Sequence, residues 1–309
     1  MPFPALWLET VDAVVPADRR AAFDQALRQP RPTGVRVNTL RATVDEVSGV
    51  LEGLGGRPVP WCDVAWSLPP GVARALQQTD AWQRGALHIQ SLSSTAATLA
   101  LDPRPGESVL DLCAAPGSKA SHIAACIDGG HLVANDLSRS RGFKLRAVLE
   151  RLGVQAEVWT GAGERLGRRN PERFDRVLAD VPCSGEGRFH VDDPASFAGW
   201  TPRKVKGLAS LQKALLHSAI DALRPGGVLL YSTCTLSPAE NEGVLARALK
   251  RYPGRIALED LPIDLPGALP ALTSWRGKDW PEEIGRARRL LPGPELDGFF
   301  LARIRKLAV

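Results

Sequence analysis

Several features are missing from this sequence of 309 residues, and each absence excludes a class of protein. No apolar run approaches the ~20 residues that a membrane-spanning helix needs. The N-terminal stretch has no basic segment followed by an apolar one, so we expect no secretory signal peptide, no membrane partner and a cytoplasmic location. Aromatic residues make up only 6%, but the 44% of hydrophobic residues excludes disorder of the whole chain.

Cysteine is scarce, with five residues in the chain. The odd number and the wide spacing argue against a disulfide framework. No two cysteines form a Cys-x-x-Cys pair, so we expect no zinc ribbon and no metal site. We therefore expect free thiols at all five positions, which are Cys62, Cys113, Cys126, Cys183 and Cys234.

The charge is unevenly distributed along the chain. With 39 basic and 34 acidic residues, the net charge is +5. Basic and acidic residues balance within 1–85, so residues 86–309 carry the whole excess. A basic domain weakly favours a polyanionic partner such as a nucleic acid.

From about residue 90 onward, strand and helix patterns alternate. We predict strands at 108–112, 130–137, 155–160, 174–180 and 228–232, with an edge strand at 298–304. Helices are predicted between them, and the helix opened by Ser138 has Phe143 on its apolar side. The alternation predicts an α/β, Rossmann-like domain over 86–309, with a doubly wound, mostly parallel sheet. Residues 1–85 are predicted to form a small α+β domain.

The turn after the first strand of this domain is built from small residues, which let a ligand approach the backbone. Asp136 ends the second strand, where an acidic residue commonly binds a ribose. The Gly-x-Gly-x-x-Gly signature of a dinucleotide site is absent, so S-adenosylmethionine fits better. The turn residues of this predicted cofactor site are Cys113, Ala114, Ala115, Pro116, Gly117, Ser118 and Lys119.

Two cysteines follow the fourth and fifth strands. Asp180 and Cys183 lie after one, and Cys234 lies after the other. These strands are neighbours in the usual doubly wound order, so we expect the three side chains to meet in one cleft. Cys126 lies on a helix and is predicted to be a packing residue, and Cys113 to be a wall of the cofactor turn.

These motifs together resemble the Nop/Sun family of S-adenosylmethionine-dependent RNA cytosine-C5 methyltransferases. The resemblance rests on Pro-Cys-Ser-Gly-Glu-Gly at 182–187, Tyr-Ser-Thr-Cys-Thr at 231–235 and Gly-Phe-Phe-Leu-Ala-Arg at 298–303. It covers nearly the whole chain from about residue 15, and it is closest to the bacterial 16S ribosomal RNA branch. It implies an N-terminal RRM-like, RNA-binding domain at 1–85 and a catalytic domain at 86–309.

The resemblance also implies roles for single residues. Cys234 would be the nucleophile that adds to carbon 6 of cytosine, and Cys183 would assist breakdown of the adduct. Asp180 would bind the N3/N4 edge of the base and border the cofactor, and Lys119 would orient Asp180 or the cofactor carboxylate. Arg141, Ala162 and Gly163 complete the predicted cofactor contacts. Ala162 stands where the family usually has an aspartate near the adenine.

The target base has to be unstacked to reach this cleft. Basic residues near it are candidates for phosphate contacts: Arg139, Arg141, Arg188, Arg203, Lys204 and Lys206. Phe189, Phe197 and Trp200 follow Cys183 and are predicted to pack that loop rather than to stack on RNA bases. The expected partner is ribosomal RNA or the small ribosomal subunit, with the protein acting as a monomer.

Three alternatives remain open from the sequence. A transfer RNA methyltransferase would use the same chemistry on a different RNA. A catalytically weak RNA-binding factor in ribosome assembly would keep the fold, and Ala162 mildly favours it. A DNA methyltransferase is disfavoured, because those enzymes take their nucleophile from the Pro-Cys motif and would leave Cys234 without a role.

Overall fold

A four-stranded and a nine-stranded sheet organise the chain in the computed structural model, which describes residues 3–308 and leaves Met1, Pro2 and Val309 outside. The α-helices are α1 (Ala5–Val14), α2 (Arg20–Ala26), α3 (Val44–Gly53), α4 (Ala73–Gln77), α5 (Asp80–Gln83), α6 (Leu92–Leu101), α7 (Ser118–Cys126), α8 (Arg139–Arg151), α9 (Leu166–Arg169), α10 (Ala195–Ala198), α11 (Pro202–Ala222) and α12 (Glu242–Arg251). The strands are β1 (Thr33–Val37), β2 (Arg57–Val59), β3 (Cys62–Leu68), β4 (Leu87–Ile89), β5 (Ser108–Asp111), β6 (His131–Asp136), β7 (Glu157–Thr160), β8 (Phe174–Asp180), β9 (Leu223–Thr233), β10 (Ile256–Glu259), β11 (Leu269–Pro270), β12 (Ser274–Trp275), β13 (Lys278–Asp279), β14 (Arg288–Leu290) and β15 (Phe299–Lys306).

The N-terminal sheet has the order β2-β3-β1-β4 and is antiparallel throughout. Its last strand, β4, begins at Leu87, so the sheet continues past the boundary predicted at residue 85. Alternation along β1 directs Val35 and Val37 into the core of this domain. Arg36, on the opposite face, is fully buried and donates to Gln90 (3.0 Å) and to Ser121 of α7 (2.7 Å). That sheet face therefore packs against the second domain, and an RNA-binding role of the N-terminal domain stays a prediction.

The large sheet has a parallel half and an antiparallel half. The order β7-β6-β5-β8-β9 is parallel throughout, which confirms the doubly wound, mostly parallel core. The antiparallel strand β15 lies beside β9, with β14 and β10 pairing along its other side. The prediction of an edge strand at 298–304 is therefore wrong. Its partners are short, and arginines interrupt β14, so neither partner has a clear strand pattern.

Helices cover both faces of the large sheet. Side chains of α6, α7 and α8 share one core cluster, and those of α11 and α12 share another. Along α8 the buried positions are Gly142, Leu145 and Leu149, whereas Phe143 is 71% exposed. The prediction that Phe143 lies on the apolar side of this helix is therefore wrong. Its side chain points about 100° around the helix axis from the buried position at Gly142. Within residues 3–308, no helix is both long and apolar enough to cross a membrane.

The loop after β8 is packed by the N-terminal helix α1, which the sequence patterns did not predict. Trp7 and Phe189 are both fully buried, with ring centroids 5.1 Å apart. Phe3 stacks near Phe189 and contacts Phe197 edge-on. The prediction that Phe189 and Phe197 pack this loop is confirmed.

Candidate active site

The carboxyl ends of β5, β8 and β9 open into a cavity of about 410 Å³. It lies where the strand order reverses between β5 and β8, which is the usual ligand position in such folds. Nine of the predicted site residues line it: Cys113, Ala115, Pro116, Lys119, Arg141, Asp180, Cys183, Arg188 and Cys234.

The two cysteines meet at the mouths of neighbouring strands. Register pairs Asp180 of β8 with Ser232 of β9, so both following loops start at the same level of the sheet. The Sγ atoms of Cys183 and Cys234 are 3.3 Å apart, and both thiols are free. The backbone N–H of Cys234 donates to the Sγ atom of Cys183, also at 3.3 Å. The predicted convergence of the two thiols is confirmed.

The two thiols have opposite tendencies to ionise. A hydrogen bond donated by the Cys183 thiol lowers the pKa of Cys234, and the positive charges of Arg188 and Lys119 act in the same direction. The pKa of Cys183 is raised well above its ordinary value by this hydrogen bond and by burial. The pair therefore favours a Cys234 thiolate beside a protonated Cys183, and a thiolate is the nucleophilic form of cysteine.

A half-buried ion pair borders the thiols. Nζ of Lys119 lies 2.7 Å from Oδ2 of Asp180 and donates to the hydroxyl of Ser94, also at 2.7 Å. Ser232 donates to the other carboxylate oxygen of Asp180 at 2.8 Å. Burial lowers the pKa of Lys119, but the charge and hydrogen bond of Asp180 outweigh it and raise the pKa overall. Both carboxylate oxygens of Asp180 are thus held in place by fixed donors.

The loop that carries Cys234 is fixed by residues that follow it in the sequence. Glu240 is fully buried and accepts from the backbone N–H of Ser184 (2.9 Å) and from Gln212 (2.8 Å). Asn241 donates to the carbonyl of Thr235 at 2.9 Å. These side chains connect the two cysteine loops to each other, which explains why polar residues follow Cys234 so closely.

The turn after β5 is braced by the acidic residue that ends β6. Asp136 is only 2% exposed and accepts from the backbone N–H groups of Ala115 (3.3 Å) and Ser138 (3.0 Å). Arg141 pairs with Asp136 at 3.3 Å and donates to the carbonyl of Ala115 at 2.7 Å. Ribose hydroxyls would therefore compete with Arg141 for this carboxylate.

The end of β5 contains an unpartnered acid. Asp111 is 1% exposed, and neither of its carboxylate oxygens has a hydrogen-bond partner within residues 3–308. Burial raises its pKa to about 7, although the nearby charge of Lys119 opposes the shift. Gly117 caps α7 with a φ of 117°, which an L side chain rarely adopts. A small-residue turn above an unpaired carboxylate fits a cationic ligand group such as a sulfonium or an ammonium.

Six predicted cofactor contacts do not line the cavity: Ala114, Gly117, Ser118, Asp136, Ala162 and Gly163. Gly163 packs into the core instead, where an added Cβ would lie 2.8 Å from Leu215. Six further lining residues were not predicted as parts of the site: Ser91, Ser94, Val181, Pro182, Asp297 and Phe299. Ser91 and Ser94 come from the start of α6, and Asp297 lies two residues before β15.

The backbone beside Cys234 leaves no room for a side chain at Gly187. Gly187 donates to the carbonyl of Cys234 at 2.9 Å and accepts from the N–H of Gly298 at 2.9 Å. A Cβ at residue 187 would lie 2.1 Å from the carbonyl oxygen of Gly298. We expect Gly187→Ala to lower the free energy of unfolding by about 1–3 kcal/mol, measured by denaturant titration.

Gly207→Ala is the control for this change. Gly207 lies within α11 with nothing inside 4 Å of an added Cβ, so the same substitution should stabilise the protein by about 0.5–1 kcal/mol. Equal effects of the two substitutions would show that the contact between Gly187 and Gly298 is unimportant.

Comparison with known families matches this chain over most of its length. A family model described as 16S rRNA methyltransferase RsmB/F matches residues 98–305. Ribosomal RNA small subunit methyltransferase F of Vibrio vulnificus is 38% identical over 313 aligned residues, which cover 99% of this chain. The protein of the same name in Klebsiella pneumoniae is 37% identical, with the same 99% coverage. The chain spans 64% of the length of each of these relatives.

Solved structures resemble the fold over the whole chain. A methyltransferase homologue from Pyrococcus horikoshii is 34% identical, with a TM-score of 0.81 over 98% of this chain and 100% of that protein. NSun6 from the same organism has a TM-score of 0.83 over 99% of this chain, at 22% identity. The similarity includes both the N-terminal sheet and the Rossmann-like domain.

Proposed function

This chain belongs to the 16S rRNA methyltransferase RsmB/F family, and from its site we propose that it transfers a methyl group from S-adenosylmethionine to carbon 5 of a cytosine in RNA. The observation that best supports this chemistry is the pair of thiols 3.3 Å apart, of which Cys234 has the lowered pKa. Carbon 5 of cytosine is a poor nucleophile until a thiolate adds at carbon 6. A methyl transfer to oxygen or to an exocyclic nitrogen would need no such thiolate.

The residues around the thiols suit each stage of an addition and elimination at cytosine. The Cys234 thiolate would form the bond to carbon 6, and the ring would take up the negative charge. Asp180, fixed by Lys119 and Ser232, would accept hydrogen bonds from the N4 amino group and from a proton taken up from solvent at N3, and that proton would neutralise the charge as it develops. Once carbon 5 carries the methyl group, its proton would pass to a water molecule, and the electron pair of that C–H bond would expel the Cys234 thiolate from carbon 6 and restore the aromatic ring.

Cys183 would act in this last stage. Its raised pKa keeps it a thiol, so it would donate a hydrogen bond to the departing Cys234 sulfur. The same contact that favours the Cys234 thiolate before the reaction would thus favour its release afterwards.

The cofactor is assigned to the turn after β5 and to the neighbouring residues. When bound, S-adenosylmethionine supplies an electrophilic methyl carbon on a sulfonium. The turn residues Cys113, Ala115 and Pro116, which line the cavity, would border it, and Asp136 would take its ribose. Asp111 ends β5 just before this turn, and its carboxylate has no hydrogen-bond partner within residues 3–308. Ala162 and Gly163 remain predicted adenine contacts. A cavity of about 410 Å³ is large enough for a ligand of this size.

We propose RNA of the small ribosomal subunit as the substrate and the cytoplasm as the place of action, with the protein acting as a monomer. The relatives' names support ribosomal RNA over transfer RNA. The test is incubation with tritiated S-adenosylmethionine and, separately, 16S ribosomal RNA, small subunits and transfer RNA. We expect label in the first or second substrate. Label confined to transfer RNA would show that transfer RNA, not ribosomal RNA, is the substrate. No label in any of the three would favour a role as a catalytically weak ribosome-assembly factor.

The pH dependence of the methylation rate should follow the Cys234 thiolate. Because the pKa of Cys234 lies below its ordinary value of 9.0, the single-turnover rate should rise with pH and level off below that value. Arg188→Ala removes a positive charge that favours the thiolate, so the midpoint should move to higher pH. Arg168→Ala, an exposed arginine on α9 that does not line the cavity, should leave the midpoint unchanged. A single-turnover rate that still rises with pH above about 9 would contradict this assignment, because the pKa of Cys234 lies below 9.0.

A further inference from the structure

A second cavity, larger than the one that holds the cysteines, lies elsewhere in the described structure. A groove of about 840 Å³ lies between α1, the beginning of α11, α12 and the β12–β13 hairpin. Three tryptophans line it, Trp200, Trp275 and Trp280, and we call it the tryptophan groove. With eight tryptophans in the whole chain, three on one groove is a strong local enrichment.

The tryptophan groove carries cations that have no acidic partner. Lys206, Arg247, Lys250 and Lys278 are exposed along it, and none of them forms an ion pair within the part of the chain that the structure describes. The acidic residues of the lining are Asp279 and Glu186, of which Glu186 is buried. The groove is therefore positively charged and suits an anionic polymer.

The indole rings are available for contact in different degrees. Trp275 is half-buried on the β12–β13 hairpin, and its ring is covered on one side by the guanidinium of Arg276, 4.7 Å from the ring centroid. Trp200 donates to Glu186 at 2.8 Å, which fixes its orientation. Aromatic rings beside lysines and arginines are the usual combination in proteins that bind single-stranded nucleic acid, because bases stack on the rings and phosphates pair with the cations.

The tryptophan groove shares its wall with the cysteine loops. Glu186 comes three residues after Cys183, and Ser237 comes three residues after Cys234, yet both line the groove rather than the cysteine cavity. The two loops thus lie between the two cavities. An RNA strand on the groove would run close to the loops that hold the target base.

We propose that the tryptophan groove binds single-stranded RNA that flanks the target cytosine, with phosphates on Lys206, Arg247 and Lys250 and a base stacked on Trp275. This inference rests on the proposed function, because it takes the substrate to be RNA. It adds a second contact surface outside the active site, and it assigns a role to basic residues that the reaction itself does not use.

The test measures the equilibrium affinity of the full chain, without cofactor, for a short fluorescein-labelled single-stranded RNA. Binding is monitored through the fluorescence anisotropy of the RNA at several salt concentrations. We expect Arg247→Ala/Lys250→Ala to weaken binding by about tenfold, and to reduce the slope of log K against log salt by about 1.4, because two phosphate contacts are lost. Trp275→Ala should weaken binding by about tenfold at an unchanged slope, since stacking releases no counterions. Arg168→Ala/Arg169→Ala is the matched control, with two exposed arginines on α9 outside the groove, and it should bind as the unchanged protein does.

Equal losses for the groove pair and the control pair would overturn the proposal, because binding would then depend only on total charge. Unchanged affinity in the groove variants would also overturn it, as would a dimer in sedimentation that Trp275→Ala abolishes. Methylation is measured separately. If RNA is methylated but the groove variants bind normally, only the groove assignment fails; if no RNA is methylated but the groove variants lose binding, only the reaction fails.

Discussion

Replacement of Cys234 by alanine is expected to abolish methylation while the protein still binds S-adenosylmethionine. The Cys234 thiolate is the group assigned to activate carbon 5, and no other thiol in the cavity has a lowered pKa, since burial raises that of Cys113. We expect the transfer of tritiated methyl to RNA to fall by more than about a thousandfold. The cofactor turn at 113–117 is on a different loop, so cofactor affinity measured by calorimetry should change by less than about twofold.

Cys126→Ala is the matched control for this result. Cys126 lies at the end of α7, outside the cysteine cavity, and burial raises its pKa to about 11. It should retain methylation at close to the level of the unchanged protein. Substantial methylation by the Cys234→Ala variant would show that Cys234 is not the nucleophile.

Replacement of Cys183 by alanine is expected to give a different defect, in which protein remains joined to RNA. The variant keeps Cys234, so addition to carbon 6 can still occur. It loses the hydrogen-bond donor 3.3 Å from the leaving sulfur, so the last bond breaks slowly. Multiple-turnover methylation should fall by about a hundredfold or more, and a covalent RNA–protein complex should appear on a denaturing gel.

The double variant Cys183→Ala/Cys234→Ala tests the origin of that complex. It should form none, because the sulfur that bonds to RNA is gone. A complex that persists in the double variant would point to another nucleophile. A Cys183→Ala variant that turns over normally without a complex would show that release does not depend on this thiol.

The sequence was sufficient for the parts of the site that follow regular strands. The five parallel strands are short apolar runs, and turns follow them directly, so the positions of Asp180, Cys183 and Cys234 at one sheet edge follow from the order of the strands. The roles of these three residues in catalysis came from the resemblance of their motifs to the Nop/Sun family. Cys113 was correctly placed as a wall of the cavity for the same reason.

Other features depend on contacts between distant segments and have no local signal. β15 is interior because segments at 256–259 and 288–290 pair with it, and their patterns are too short to mark them as strands. The pairing of Lys119 with both Asp180 and Ser94 joins residues that are far apart in the sequence. The tryptophan groove likewise gathers residues from both ends of the chain, so no single stretch predicts it.

The proposed reaction requires that Cys234 bonds to carbon 6 of a cytosine in RNA. The most direct measurement uses substrate RNA in which the hydrogen on carbon 5 of cytosine is replaced by fluorine, so that the final proton loss cannot occur. After reaction with S-adenosylmethionine, the trapped complex is digested and its peptides are analysed by mass spectrometry. We expect a methylated fluorocytosine nucleotide attached to the peptide that contains Cys234. A nucleotide on the Cys183 peptide, or no covalent complex under conditions where unmodified RNA is methylated, would contradict it.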